Sequence, residues 1–454
     1  MLIRFSVENC FSFLERATFS MIPGLGRLKK EHINARKHCV TTLKTAIAFG
    51  ANASGKSNLV KAIALGKQMV VNGTLTGSKV AYAPYRLSKD APKQDTRIEY
   101  EIQAGRKNYA YGFVFNEERI VEEWLYEITN KEEKMLFERS DTNTFDIAPL
   151  LHKNTKAEHK QFLQFVAKAT PENQLLLREM IVRRVRENVE DIRDVIAVYN
   201  WFEQSLKVLL PNERYKEGIS TELVNNEQLH NIFEQLLDYF GTGIDGIELQ
   251  DVDVKSLNVP QQLLEQIRND VFAKRNARVI LQTSENTFFF SKDKGALQIQ
   301  KFMTKHKIRG TKDYEFFDTK DESDGTNKII DFVPVLIDLL RGNNVFVIDE
   351  MERSLHPNLI YDIFDIYLRS ATDVQSQLIV TTHESSLLTQ KLVRKDEVWF
   401  ITKDENGTQL HSLEEYNVRF DKEIRKDYLL GRYKAIPRLG DRDEALACIK
   451  LNTK

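Results

Sequence analysis

The sequence predicts an α/β fold whose core is assembled from both ends of the chain, with an antiparallel β region and a mostly helical insertion between them. Three observations predict it. First, the apolar run Ala46-Ile47-Ala48-Phe49 leads straight into a glycine-bearing loop and then a helix beginning near Lys56. Four successive apolar residues suit a strand buried on both faces. Second, residues 326–381 return to that style. A helical stretch over 326–341 precedes the apolar strand Val345–Ile348, and a helix over 357–370 precedes a second apolar strand, Leu378–Thr381. Such alternation builds a parallel sheet. Third, the chain between is charged, with apolar residues at helical spacing. This gives three regions: 1–145 and 301–454 as the two parts of the head, and 146–300 as the insertion.

Taken in order, residues 1–20 read as extended, because Leu2, Arg4 and Ser6 alternate with Ile3, Phe5 and Val7. Residues 97–140 read as antiparallel strands. The runs RIEYEIQ, NYAYGFVF and RIVEEWLYEI are rich in aromatic and β-branched residues and are separated by turn-like AGRK and NEE. Over 157–210, Leu176, Met180, Val185, Val189 and Ile192 fall at helical spacing, and Pro171 with Glu172 suits a helix start. Residues 222–240 and 260–275 also read as helical. No heptad pattern persists long enough for a coiled coil, and there are no repeats.

Composition excludes several classes. Lys plus Arg is 65 and Asp plus Glu is 66, so no whole-protein field draws the chain to nucleic acid or an anionic membrane. Cys10, Cys39 and Cys448 are far apart and odd in number, which gives neither a disulfide framework nor a metal spacing. The opening MLIRFSVENC is not a signal peptide. No apolar run approaches the roughly 20 residues that span a bilayer. The expectation is a cytoplasmic protein with no membrane partner.

Four segments carry chemistry. Gly50-Ala51-Asn52-Ala53-Ser54-Gly55-Lys56-Ser57 matches G-x-x-x-x-G-K-[ST], the phosphate-binding P-loop, and Asn58 follows it. Such a loop turns backbone N–H groups inward around phosphate oxygens, and the next helix points its positive end at them. In that setting Lys56 reaches the β- and γ-phosphates of ATP and Ser57 ligates Mg²⁺. Val345-Phe346-Val347-Ile348-Asp349-Glu350 is a buried strand ending in two acids. Asp349 would hold Mg²⁺, and Glu350 would polarise the attacking water as general base. By itself, such a strand end often only caps the next helix; the P-loop gives it its meaning. Thr381-Thr382-His383 ends the second strand, and a His there, 34 residues after Asp349, can sense a γ-phosphate. Glu322-Ser323-Asp324-Gly325-Thr326 precedes a helix 26 residues before Asp349. Ser323 and Gly325 at a helix N-terminus form an anion site; alone, the segment reads better as an ordinary N-cap supplied by Ser323 or Asp324, and its place before Asp349 is what favours the anion site.

This order of segments resembles the ABC-type ATPases of the SMC and RecF kind, and more finely the OLD-like, abortive-infection group. The strings that carry the resemblance are FSVENCFSF, FGANASGKSNL, NYAYGF, ESDGT, VFVIDEMERSLHP, TTHESSLL and YLLGRYKAIP. It covers essentially the whole chain, with the middle least distinct. It implies an ABC-type P-loop ATPase head that works as a homo-oligomer built on dimers. Two heads pair head to tail, and Ser323 and Gly325 of one copy contact the γ-phosphate bound by Lys56 of the other. Glu350 is then the base and His383 the switch, while Ser354, Leu355 and His356 take the place of the loop that crosses the interface. The signature departs from the L-S-G-G-Q of transporters, which speaks against a transporter motor.

OLD-like proteins often carry a Toprim nuclease, and Asp441-Arg442-Asp443 superficially resembles its D-x-D. Too little chain follows His383 for such a domain, so a solvated charged turn is expected and no nuclease within the chain. Two functions follow. One is a defence ATPase that holds and releases a separate toxic effector, by the resemblance a Toprim-type nuclease, on a phage-encoded trigger. The other is a RecF-like ATPase of DNA repair or recombination. Its heads would show a basic face, and the balanced charge disfavours it. The basic segment Lys301–Lys312 fits either a phosphate-backbone contact or a charged loop.

Overall fold

The computed structural model describes residues 1–454 other than 27, 38, 76, 130, 152–154, 190–191, 212, 216–225, 255–256, 258, 274–278, 284–285, 294, 372–373, 417–422, 438–439, 443–445 and 447–454. Asp443 and Cys448 thus lie outside the described residues. The chain divides into two compact units, the first made of residues 1–211, 342–351 and 364–454, the second of 212–341 and 352–363.

The first unit opens with strands β1 (Leu2–Glu8) and β2 (Ala17–Ser20), then a short ribbon, β3 (Ile33–Asn34) and β4 (Thr42–Leu43). Strand β5 (Thr45–Gly50) is buried at all six residues and leads into helix α1 (Lys56–Val71). Five antiparallel strands follow: β6 (Thr96–Ala104), β7 (Lys107–Phe115), β8 (Ile120–Ile128), β9 (Glu133–Ser140) and β10 (Thr144–Asp146). Helices α2 (Ala157–Lys168), α3 (Leu176–Val182), α4 (Val185–Asn188) and α5 (Arg193–Asn200) come next, then β11 (Leu206–Leu209).

The second unit holds α6 (Glu227–Tyr239), β12 (Gly246–Asp251), α7 (Gln261–Ala273), β13 (Val279–Gln282), β14 (Thr287–Asp293), β15 (Ala296–Lys307), β16 (Tyr314–Phe317) and α8 (Asp324–Arg341). The chain ends with β17 (Val345–Ile348), α9 (Pro357–Ser370), β18 (Gln377–Thr382), the hairpin β19 (Val398–Asp404) and β20 (Gly407–Ser412), and α10 (Ile424–Leu429).

Two sheets build the first unit. One is antiparallel with order β10-β9-β8-β7-β6-β1-β2; the other has order β11-β17-β18-β5-β19-β20 and is parallel up to β19. Both ends of the chain therefore enter one parallel sheet, as their apolar runs require. Phe5, Tyr100 and Tyr111 of the first sheet join Ala46, Ala48, Val345 and Val347 of the second in one apolar core, with Leu59 and Ile63 of α1. Gly66 lets α1 lie close: a Cβ there would come within 2.2 Å of the Tyr100 hydroxyl, which itself donates to the Ile63 carbonyl at 2.8 Å.

The second unit combines helices with a sheet. Its order β12-β15-β14-β13, with β16 paired to β15, is an antiparallel sheet covered in part by α7 through Ile267, Val271, Phe288, Phe290 and Ile299. Much of β15 is only half buried, so its residues lack the clean alternation that marks a strand with one dry face. The same sheet takes in residues 301–317, and these fall in the second unit with α8. Among the described residues, no helix is long and apolar enough to cross a membrane.

Candidate functional site

The site begins where β5 runs out. Ala53 and Gly55 both adopt positive φ, 64° and 110°, which coils the loop tightly before α1. Gly50 and Gly55 are glycines for steric reasons. A Cβ on Gly50 would meet the Ile401 carbonyl and Ser54 Oγ at 2.5 Å, and one on Gly55 would meet Thr408 Oγ1 at 2.2 Å. Lys56 is buried and folds back over the loop, its Nζ donating to the carbonyls of Gly50 at 2.8 Å and Ala51 at 3.0 Å. Asn52 and Ala53 are exposed at the loop's outer side, while Ser57 and Asn58 are half-buried in the first turn of α1.

Strand register brings the acids to the same edge. β18 lies between β17 and β5, with Val380 aligned to Ile348 on one side and to Ile47 on the other. The carboxyl ends of the three strands therefore finish together, delivering Asp349, Thr381–Thr382 and Gly50 side by side. This edge of a parallel sheet, beyond the strand ends, is where ligands bind in open α/β folds. Asp349 is 1% exposed. Thr381 Oγ1 donates to its Oδ1 at 2.5 Å and accepts from the Glu350 amide at 3.0 Å. Glu350 takes φ 48°, a left-handed conformation that costs a non-glycine residue about 1–2 kcal/mol. His383 follows β18 directly and is exposed.

Ser323 and Gly325 sit in the second unit. Ser323 is the N-cap of α8: its Oγ accepts from the Thr326 amide at 3.1 Å and lies 2.9 Å from the Thr326 hydroxyl. Gly325 is close to the turn before α9, and a Cβ there would stand 3.1 Å from the Ser354 carbonyl. Ser354 itself has φ 64°.

Two observations test the fit of ATP and Mg²⁺. Asp349 Oδ2 is buried with no hydrogen-bond partner, and so is Ser54 Oγ in the P-loop. A buried carboxylate oxygen left unpaired is costly, and a cation at the strand end would relieve it. The residues present therefore fit the group.

A family profile described as "AAA domain, putative AbiEii toxin, Type IV TA system" matches residues 49–389, about three quarters of the chain. The chain belongs to this AAA family. It is a P-loop ATPase by class. The matched stretch begins at Phe49, just before the loop, and ends just beyond His383. No match was found among curated proteins. Three solved structures are similar. The "SmcHead bound to the C-winged helix domain of ScpA" is 13% identical over 91% of this chain and 98% of that one, with a TM-score of 0.39. An Smc head domain with an extended coiled coil, bound to the C-terminal domain of ScpA derived from Pyrococcus furiosus, is 13% identical over 95% and 99%, with a TM-score of 0.40. The SMC head domain from Thermotoga maritima is 11% identical over 90% and 98%, with a TM-score of 0.36.

Three residues that shape this edge and loop carry no individual signal in the sequence. Thr381 is the hinge of the acidic edge. Ser12 and Thr408 form the floor of the P-loop: Thr408 Oγ1 donates to Ser12 Oγ at 2.7 Å and reaches the Ser54 carbonyl at 2.9 Å, and Asn58 Nδ2 donates to Ser12 Oγ at 2.8 Å. Ser12 lies within FSVENCFSF, so its string was legible while its role was not.

Proposed function

We propose that the chain is an ATP-binding and ATP-hydrolysing scaffold and sensor of bacterial anti-phage defence. Two copies pair head to tail, so that Ser323 and Gly325 of one complete the site around Lys56 of the other. The assembly holds a separately encoded toxic effector, a Toprim-type nuclease by family resemblance, and a phage component triggers release. In size and overall look the chain also resembles the ATPase subunit of the PARIS anti-phage system. The toxin–antitoxin wording of the family description supports the defence context.

The observation that carries the catalytic part is the Asp349–Thr381–Glu350 arrangement beside the P-loop. Ser57 and Asp349 would hold Mg²⁺, which supplies charge neutralisation to the phosphates when bound. Lys56 would leave the Gly50 and Ala51 carbonyls for the β- and γ-phosphates. Glu350, its backbone fixed by Thr381, would orient a water and take its proton. His383 would contact the γ-phosphate and report its loss.

The test is mass in solution with ATP and Mg²⁺, with and without the protein encoded beside it. Wild type and Glu350→Gln should assemble and carry the neighbour, and Lys56→Ala should do neither. A chain that stays monomeric with ATP and ignores its neighbour refutes the shared site. Steeply salt-dependent, DNA-stimulated hydrolysis would then support the RecF-like reading.

A further inference from the structure

The segment leading into Ser323 is stapled to the antiparallel sheet of the second unit. β16 ends at Phe317, and residues 318–322 then return along β15 before Ser323. Lys301 of β15 pairs with Asp318. Farther along β15, Thr304 Oγ1 donates to Glu322 Oε1 at 2.5 Å, and His306 Nε2 lies 2.6 Å from the same oxygen. Thr304 and His306 are two residues apart, so both stand on one face of the strand. Asn327, in the first turn of α8, donates to the carbonyls of Thr319 at 2.9 Å and Glu322 at 3.3 Å. The Glu322 side chain is 7% exposed, and the His306 ring packs on Phe317 with centroids 4.6 Å apart.

Both imidazole nitrogens are engaged. Nδ1 is 2.9 Å from the Gly243 carbonyl, which only accepts, so Nδ1 carries a hydrogen. Nε2 faces a carboxyl oxygen, so one more proton lies between them, on the ring or on Glu322. Charge-assisted bonds of this length are the strong, geometrically specific ones. Glu322 is joined to Ser323 by a single peptide bond, so any displacement of its side-chain anchor reaches the signature serine.

We infer that His306 is a positioning residue for Ser323. Through Glu322 it makes the orientation of β15 and β16 set where the signature serine stands. The inference rests on the role proposed above for Ser323 and adds a positioning residue to that site.

The experiment compares His306→Ala, Glu322→Gln and Ser323→Ala in the full chain. It measures steady-state ATP turnover, affinity for a fluorescent ATP analogue, and melting temperature. His306→Ala should lower kcat about tenfold or more while leaving analogue affinity within about twofold. Glu322→Gln should retain turnover, because the amide's two hydrogens meet His306 Nε2 and the Thr304 hydroxyl without a shared proton. Glu322→Ala should be about as slow as His306→Ala, and the double variant His306→Ala/Glu322→Ala no slower than the worse of these two singles, since both break one unit. Where turnover is slow, the ATP concentration for half-assembly is the readout. The inference is overturned by His306→Ala turning over like wild type while Ser323→Ala does not, or by a loss confined to melting temperature. Wild-type behaviour of Ser323→Ala overturns the reading of the site and this inference with it.

Discussion

Thr381 and Asp349 are joined by a 2.5 Å hydrogen bond across adjacent parallel strands, and the same hydroxyl accepts the Glu350 amide. One side chain thus sets both the direction of the Asp349 carboxylate and the left-handed backbone of the next residue. Thr381→Val keeps the shape and removes both bonds. A hydrogen bond to a charged group contributes about 1.5–3 kcal/mol, so kcat should fall about tenfold or more with a lowered melting temperature. Thr381→Ser should restore turnover, which separates the hydroxyl from the packing of the methyl.

Glu350→Gln should bind ATP as wild type does and turn it over about a hundredfold or more slowly, the loss expected for removing a general base. Its backbone adds a second check. Glu350→Gly relieves the strain of φ 48°, so it should be as inactive as Glu350→Gln yet melt at a higher temperature. Turnover in either variant at the wild-type rate would remove Glu350 from the chemistry.

The legible parts of the fold were those in which burial is complete. Ala46–Phe49 and Val345–Ile348 are covered on both faces and therefore read as unbroken apolar runs. Helices over 357–370 and 326–341 were equally plain from their spacing. β12 to β16 were not: β12, β15 and β16 are only partly buried along much of their length, so no clean alternation marks them. At the site, the P-loop and the two acids could be read because chemistry fixes their spacing. The floor of the loop could not. Thr408 and Ser12 are 396 residues apart and meet only because β20 crosses the loop after β1. Thr381 was inside a recognised string, but its partner is set by strand register, which no local pattern encodes.

Asp331 gives a pH dependence with a definite sign. Burial in α8 pushes its carboxyl up to about 6, against the opposing pull of Arg214, 3.5 Å away, and of Lys328. The folded chain then holds a proton that the unfolded chain releases at lower pH. The associated stability is fully present below about 4 and is lost as pH rises through about 6. Two units correspond to at most about 3 kcal/mol, less for a side chain that is 16% exposed. Asp331→Asn mimics the protonated form. Its melting temperature should exceed that of wild type at pH 7.5, and the gap should narrow at pH 4.5 and close below about pH 4. A gap that is constant across this range would show that the proton is not held.

Ser12→Ala tests the floor of the P-loop. The Ser12 hydroxyl receives Asn58 Nδ2 at 2.8 Å and Thr408 Oγ1 at 2.7 Å. Removing it leaves Asn58 to find water, while Thr408 keeps the Ser54 carbonyl as an acceptor. The loop therefore loses about one hydrogen bond of order, near 1 kcal/mol, and pays it whenever phosphate is bound, in ground state and transition state alike. KM for ATP should rise about fivefold with kcat unchanged, the pattern of lost uniform binding. Gly55→Ala should behave differently. Its Cβ meets Thr408 Oγ1, and φ 110° is strained for any residue with a side chain. ATP binding should be lost. The pair Gly55→Ala/Thr408→Ala should not restore it, because trimming Thr408 leaves the backbone strain and the 2.8 Å approach to Ser12 Oγ in place. Rescue by that pair would show that steric contact alone, and not the loop's handedness, requires glycine at this position.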